Sequence, residues 1–492
     1  MPSTRASCSR RHARNNMVGE SPDPVQSPNK DHLLVTDPEV LAGYCRDASP
    51  LIGSPEGLLR PDSAQEVAFW LREAVARGVP VTPCGLRSST TGSGLASSGW
   101  ALSCERLQSP LELDSERSIA TVGAGVVLRD FKDELESHGW FYPPDPTSER
   151  ECSMGGTVAC DASGARSYRY GPTHRWLRGL EVALMDGSVR WFRRRLVEKD
   201  ASGYACLRDL VDLFCGSEGT LGVITRVEVD LLPKPEAFLG ALAFFDSVAS
   251  ALHFVGQARQ EQRRGTSIQP RCLELLDATC LEIMRQQDSG VIIPNGAGAA
   301  IFFEEEHLAG EEDRVLAAWW SLLESFAGSY AADTVVATDR ARKEELRSLR
   351  HAVPAHLNEE GARFMEHGGK KLSTDWAVPF EHLARFMVDA DGWLEEAGIH
   401  RVARFGHVGN GHPHYNLMLK DGAEVERGER VVRRMCERAC ELGGTISAEH
   451  GVGKVKRAYA RYRFSELELA AMQALKKLLD PAELLAPGNL FP

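Results

Sequence analysis

No apolar run in this chain approaches the ~20 residues that a membrane helix requires, and no long apolar segment of a secretory signal opens it. These absences predict a soluble, cytoplasmic protein, at most peripheral to a membrane. Cysteine occurs at twelve positions but never as Cys-x-x-Cys. That pattern speaks against a fused iron–sulfur module or zinc ribbon and predicts reduced thiols. An excess of positive charge is also missing: 57 basic against 69 acidic residues give a net charge of −12, which argues against nucleic acid as the main partner. A local basic pocket for an anionic substrate is compatible with that total. Acid is absent from the first nineteen residues, which carry Arg5, Arg10, Arg11 and Arg14. Residues 1–30 are expected to form a disordered tail; a targeting peptide, or a true start at Met17, are the alternatives.

What is present is a chain of 492 residues, too long for one core, with the 43% apolar and 26% charged residues of a globular protein. Ser63-Ala64-Gln65-Glu66 reads as a capping box opening a helix, with Val67, Leu71, Ala74 and Val75 on one face and Gly78 closing it. A strand at Val79-Pro80-Val81 then enters Pro83–Gly94, a loop of small hydroxyl residues and glycine whose backbone N–H groups suit a phosphate. A strand at Ile119–Val122 precedes a helix with Leu128, Phe131 and Leu135 at helical spacing, ended by Gly139. Pro143–Thr147, Ser153–Thr157 with Ala162-Ser163-Gly164, and Gly216–Thr225 are further small-residue stretches. One such cluster is ordinary loop chemistry. Four within ~150 residues suggest backbone lining an extended, polyanionic cofactor.

Two later loops carry side-chain chemistry. Gly406–His414 holds His407, His412 and His414, and Ile446–Gly453 holds Glu449 and His450. Two imidazoles and a carboxylate make a ligand set for a divalent metal with open positions. A single strand or helix would not bring His407 and His414 together, so Gly406, Gly409, Gly411 and Pro413 predict an irregular loop that does. Gly451 and Gly453 allow a tight turn in which the neighbours Glu449 and His450 face one cavity. A lone loop histidine is ordinarily solvated or bonded to backbone; both loops together point to an enzyme site.

These stretches, in this order, resemble the flavoprotein family of vanillyl-alcohol oxidase and p-cresol methylhydroxylase, and within it the D-2-hydroxyacid dehydrogenases. That branch holds D-lactate and D-2-hydroxyglutarate dehydrogenases and the catalytic subunit of glycolate oxidase. The resemblance spans about residues 35–492 and is strongest at Gly216–Thr225 and Ala448–Gly453. It implies an α+β architecture: a two-subdomain FAD-binding domain (31–236), an α+β cap or substrate domain (237–430), and a C-terminal segment (431–492) returning to the flavin side. It implies a pyrophosphate loop at Gly85, Arg87, Ser88, Ser89, Thr91 and Gly92, and a second FAD stretch at Asp145, Pro146, Met154, Gly155, Gly156 and Gly164. A third falls on Glu218, Gly219, Leu221, Gly222 and Ile224. The metal site falls on His407, His414 and Glu449, with zinc expected first and manganese or iron as alternatives. His450 takes the role of catalytic base, and Arg350 and Lys371 those of substrate-carboxylate partners.

The chain departs from the family pattern in several places. Cys84-Gly85-Leu86-Arg87-Ser88 replaces the usual Arg-Gly-Gly-Gly-Thr, so Arg87 either answers a phosphate charge or points to solvent. Asp161 stands for an asparagine, Ala486 for the asparagine of a terminal Asn-Pro-Gly-Lys, Pro354 for a threonine of some relatives, and Lys371 is displaced by two positions. The pyrophosphate loop has no histidine for covalent attachment, so dissociable FAD is expected. The implied reaction oxidises a 2-hydroxyacid to the 2-oxoacid, with metal-assisted transfer of hydride to flavin. Electrons then pass to an external acceptor: a quinone, a cytochrome, an electron-transfer flavoprotein or a partner subunit. Self-association as a homodimer is left open. Two other readings keep FAD: a transferase like alkyldihydroxyacetonephosphate synthase, or a cofactor-carrying subunit of a multi-subunit glycolate oxidase.

Overall fold

A computed structural model describes residues 34–326 and 328–491; the expected tail at 1–30 lies outside them. The helix expected after Ser63 runs from Ala64 to Arg77. Ser63 Oγ accepts from the N–H of Glu66, and Gly78 closes the helix at φ 65°, a conformation that costs glycine least. Glu66 reaches the N–H of Asp62 at 3.2 Å, one residue before the position a capping box would give it. Val67, Leu71 and Ala74 are buried as the periodicity predicts, whereas Val75 is 42% exposed at the edge of that face.

Two sheets build the first half of the chain. Gly57–Leu59, Trp100–Ser103 and Val81–Cys84 form a small parallel sheet in that order, so the strand expected at 79–81 begins two residues later. Glu112–Asp114, Ile119–Gly123, Val223–Asp230, Leu177–Ala183 and Val189–Arg193 form an antiparallel sheet of five. The helices Ala64–Arg77 and Leu128–Ser137 share one core with both sheets, including Val67, Leu71, Phe131, Leu102 and Val227. Loops between these strands converge on one cleft.

The second half is organised on seven antiparallel strands, in the order Val335–Ala337, Ala237–Phe245, Ala299–His307, Pro270–Asp277, Val402–His407, His412–Asp421 and Gly368–Ser373. Both faces are covered. Helices Val248–Arg263, Glu312–Phe326, Phe380–Glu396 and Gly422–Glu441 pack on one, and Ala278–Arg285 and Arg340–Phe364 on the other. The alternation of a strand therefore buries both sets of side chains: Leu273 and Leu275 enter one core, Cys272 and Leu276 the other. The boundary expected at 430 falls inside the helix Gly422–Glu441, whose Val431, Val432 and Met435 pack on this sheet.

Beyond that helix the chain returns to the first half. Ala486 donates its N–H to Val81 O at 2.7 Å, and Asn489 Nδ2 donates to Ser93 O and Glu218 O at 2.8 and 3.0 Å. Buried Lys476 donates to Asp480, to Thr220 O and to Leu485 O, which satisfies its ammonium.

Candidate active site

A cavity of about 430 Å³ lies between the two halves. Gly85, Arg87, Ser88 and Ser89 line one wall, Pro146, Gly155 and Gly156 another, and Glu218, Gly219, Gly222 and Ile224 a third. Glu449 and His450 close it from the cap side. Gly155 and Gly156 open the helix Met154–Cys160, where Ser153 Oγ accepts the N–H of Gly156 at 3.2 Å. A Cβ on Gly155 would stand 2.7 Å from that of Ala124, so the close approach requires glycine. A wall of small residues, backbone N–H groups and hydroxyls fits an extended phosphate-bearing cofactor.

Several residues expected at the cofactor also hold the walls together. Thr91 and Gly92 do not line the cavity: Thr91 O accepts the N–H of Lys454 at 2.9 Å, and Thr91 Oγ1 donates to His450 O at 3.3 Å. Met154 and Leu221 are buried in the core behind it. Asp145 accepts the N–H of Arg166 at 3.0 Å, and Gly164 lies against Asp145 so closely that a Cβ would meet its carbonyl at 2.2 Å. Glu218 lines the cavity with its carboxylate spent on the N–H groups of Val452 and Gly453, at 2.6 and 2.7 Å. Burial raises that carboxyl to about 7. Arg87 adopts φ 62° and stacks 4.4 Å over the Tyr44 ring, with Glu105 3.9 Å away. Its side chain is therefore neither free in solvent nor without a counter-charge.

The histidine loop is a β-hairpin rather than an irregular loop. Strand Val402–His407 pairs with His412–Asp421 so that His407 faces His412 and Phe405 faces His414. A turn at Val408–Asn410 joins them, and the diagonal across two strands achieves what one strand cannot. His407 Nε2 and His414 Nε2 stand 3.2 and 3.0 Å from the two oxygens of Glu449. Their second nitrogens are held: His407 Nδ1 by Glu274 Oε1 at 2.8 Å, His414 Nδ1 by Thr374 O at 3.0 Å. Each ring is thus fixed at Nδ1 and turns Nε2 to one shared carboxylate, a donor set whose chemistry fits a divalent ion. Burial opposes charge on His407, but Glu274 and Glu449 lie close enough to raise its pKa well above the usual range. Two buried carboxylates around one ring demand positive charge, which a divalent cation supplies as well as a proton does.

His450 differs from this pair. Desolvation pushes its imidazole below the ordinary range, against the pull of Asp375 and Glu449, which favours the neutral ring that can accept a proton. Its Nε2 is 3.5 Å from Glu449 Oε1, and its backbone N–H donates to Asp375 Oδ2 at 3.2 Å. Asp375 is itself held by Ser447 Oγ at 2.7 Å and by Lys456.

Neither Arg350 nor Lys371 lines this cavity, but Arg350 lines a second one of about 520 Å³ that shares Pro146 and Thr147 with it. Arg350 Nη2 lies 2.6 Å from Glu274 Oε2, which places the guanidinium behind His407. Burial opposes charge on Glu274, yet His407 and Arg350 draw its carboxyl down to about 2. Pro354, inside the helix Arg340–Phe364, cannot donate to the carbonyl of Arg350 one turn earlier. Lys371 donates to Asn358 Oδ1, and Asn358 does line the cavity. Sequence reasoning missed Glu274, Asp375, Asn358 and Lys456. A glutamate inside the apolar run Cys272-Leu273-Glu274-Leu275-Leu276 was a readable signal; the others carried none.

Among the described residues no helix is long and apolar enough to cross a membrane, and all eleven cysteines are free thiols. Comparison with known proteins follows the same division of the chain. Residues 55–193 match an FAD binding domain and residues 234–490 the C-terminal domain of FAD linked oxidases. Glycolate oxidase subunit GlcD of Bacillus subtilis is 31% identical, over 91% of this chain and 92% of its own. D-2-hydroxyglutarate dehydrogenase of Xanthomonas citri is 30% identical, over 93% and 94%, and D-lactate dehydrogenase of Anaerostipes hadrus 28%, over 93% and 94%. Solved structures of alkyldihydroxyacetonephosphate synthase and of 4-ethylphenol oxidase from Gulosibacter chungangensis share the fold, with TM-scores of 0.70 and 0.69 at 17% and 15% identity. With both domain matches in order along one α+β chain and relatives aligned from end to end, the protein belongs to the FAD-linked oxidases.

Proposed function

We propose that this enzyme oxidises a 2-hydroxyacid to the corresponding 2-oxoacid, of the D-lactate, D-2-hydroxyglutarate or glycolate kind on which the relatives named above act. The observation that carries the reading is the junction at Glu449 and His450. One backbone turn presents a metal-ligand carboxylate and a neutral imidazole to the same cavity. His407, His414 and Glu449 would hold a divalent ion, zinc or else manganese or iron. When bound, the ion would polarise the substrate hydroxyl and the flavin would serve as the two-electron acceptor.

The chain's own residues supply the rest. His450 takes the hydroxyl proton; Asp375 holds the backbone N–H of His450 and thereby sets where the ring stands. Arg350 acts through Glu274 on His407, a positioning role, and Lys371 acts at the cavity through Asn358. Thr91 and Glu218 pin the turn that carries His450 to the cofactor loops, so base and cofactor share one rigid frame. An external acceptor would take the two electrons removed from the substrate.

Anaerobic bleaching of the purified flavoprotein by a panel of D- and L-2-hydroxyacids tests this reading. Bleaching by at least one D-acid or glycolate, and loss of bleaching after chelation with FAD still bound, are the expected results. Bleaching by none of them, or unchanged bleaching by metal-free protein, overturns the reaction or the metal assignment respectively.

A further inference from the structure

The ligand set argued above leaves out His412, which stands at the centre of the hairpin. It begins the strand His412–Asp421, pairs across to His407, and is 3% exposed. One of its ring nitrogens, one from each of His407 and His414, and a carboxylate oxygen of Glu449 all lie within 4.8 Å of one another. Donors bound to one ion at about 2.1 Å stand about 3.0 Å apart as neighbours and about 4.2 Å apart as opposites, so side-chain shifts of about an ångström or less each gather all four.

The hydrogen bonding singles out the same residue. His407 and His414 each spend one nitrogen on a protein acceptor, whereas buried His412 Nε2 has no hydrogen-bond partner. The nearest carboxylate oxygen, Asp375 Oδ1 at 3.1 Å, is also unpartnered. A proton on Nε2 satisfies both atoms at once and leaves the Nδ1 of His412 with its lone pair. The alternative grouping of Asp375, Glu449 and His450 is less suited to an ion, because Lys456 already supplies its positive charge to Asp375.

We propose that His412 is a third imidazole ligand, making the centre a three-histidine, one-carboxylate site. This rests on the reading that a divalent ion occupies the cluster. Coordination either engages the unmatched nitrogen or, by fixing the tautomer, gives it a proton to donate to Asp375. Four protein donors fill a four-coordinate ion. An ion that accepts six keeps two places, the number that a hydroxyl and a carboxylate oxygen need, so the site suits manganese, iron or cobalt better than tetrahedral zinc.

The test uses full-length flavoprotein, stripped of metal and reloaded with Co2+ alone. X-ray absorption is expected to count three imidazoles per cobalt in the parent and two in His412→Gln, with FAD absorbance unchanged. Equilibrium dialysis is expected to show Co2+ bound at least ~10-fold more weakly by His412→Ala. Asp375→Asn separates ligation from support: it should keep three imidazoles. Two imidazoles in the parent, or an affinity within about threefold of the parent in His412→Ala, overturns the proposal while leaving the three-ligand site standing. If the parent binds no Co2+, the metal reading itself falls with it. Should His412→Gln fail to fold, the count in the parent decides.

Discussion

The cofactor walls and the histidine hairpin do their work with opposite materials. The walls at 85–89, 146–156 and 218–224 are backbone and small side chains, arranged so that a Cβ in the wrong place collides. The hairpin is side chains throughout: His407, His412 and His414 set against Glu274, Glu449 and Asp375, four of these six being buried and His414 and Glu449 partly so. The first kind of surface is a matter of shape and tolerates changes of charge. The second is a balance of charges in a poor solvent and tolerates little loss of a partner. The two meet where Glu218 and Thr91 grip the turn that carries His450.

The largest expected effect falls on chemistry with both surfaces intact. His450→Gln should lower anaerobic flavin reduction at least ~100-fold while FAD content stays at parent level; a rate near that of the parent moves the base elsewhere. Glu274→Gln unbalances the hairpin without touching the cavity. Metal affinity should drop ~10- to 100-fold in dialysis, with flavin still bound; simultaneous loss of FAD would erase the division between the two surfaces. The reciprocal variant is Gly155→Ala, whose Cβ meets Ala124. It should destabilise by about 1–3 kcal/mol in denaturant melts and lower FAD occupancy, with metal stoichiometry unchanged.

The smallest effect is a pH slope at the junction. Glu218 titrates from its ordinary 4.5 to about 7 on folding because it is buried. Between those values the native state keeps a proton that the unfolded chain has released, so stability falls as pH rises through this window and levels off above it. The steepest slope for one proton is about 1.4 kcal/mol per pH unit. Melts of apoprotein from pH 5 to 8 should show it, and Glu218→Gln should flatten it; a parent curve that rises over this range contradicts the assignment.

The same contrast explains what was legible in the sequence. Glycine and hydroxyl clusters announce a backbone cradle because their meaning is local, and Gly85, Gly155 and Gly219 stand where those clusters suggested. The capped helix at Ala64–Arg77 and the helix at Leu128–Ser137 were likewise readable from period and caps. The hairpin histidines were visible as residues but not as geometry, since their pairing is a property of two strands in register. Arg350 shows the limit most clearly. The residue itself was readable, but not its pairing with Glu274, 76 positions away, nor the cavity that it faces.

The return of the chain to its first half sets an order of events during synthesis. Asn489 is tied to Ser93 and Glu218, 396 and 271 residues earlier, and Ala486 continues the edge at Val81. A nascent chain can form its early strands and helices on the ribosome, but the pocket rim lacks its last clasp until residue 489 has emerged. Contacts of such long sequence separation form late. Flavin capture should therefore be a finishing step, and a chain stalled after the seven-stranded sheet would be folded in outline yet colourless.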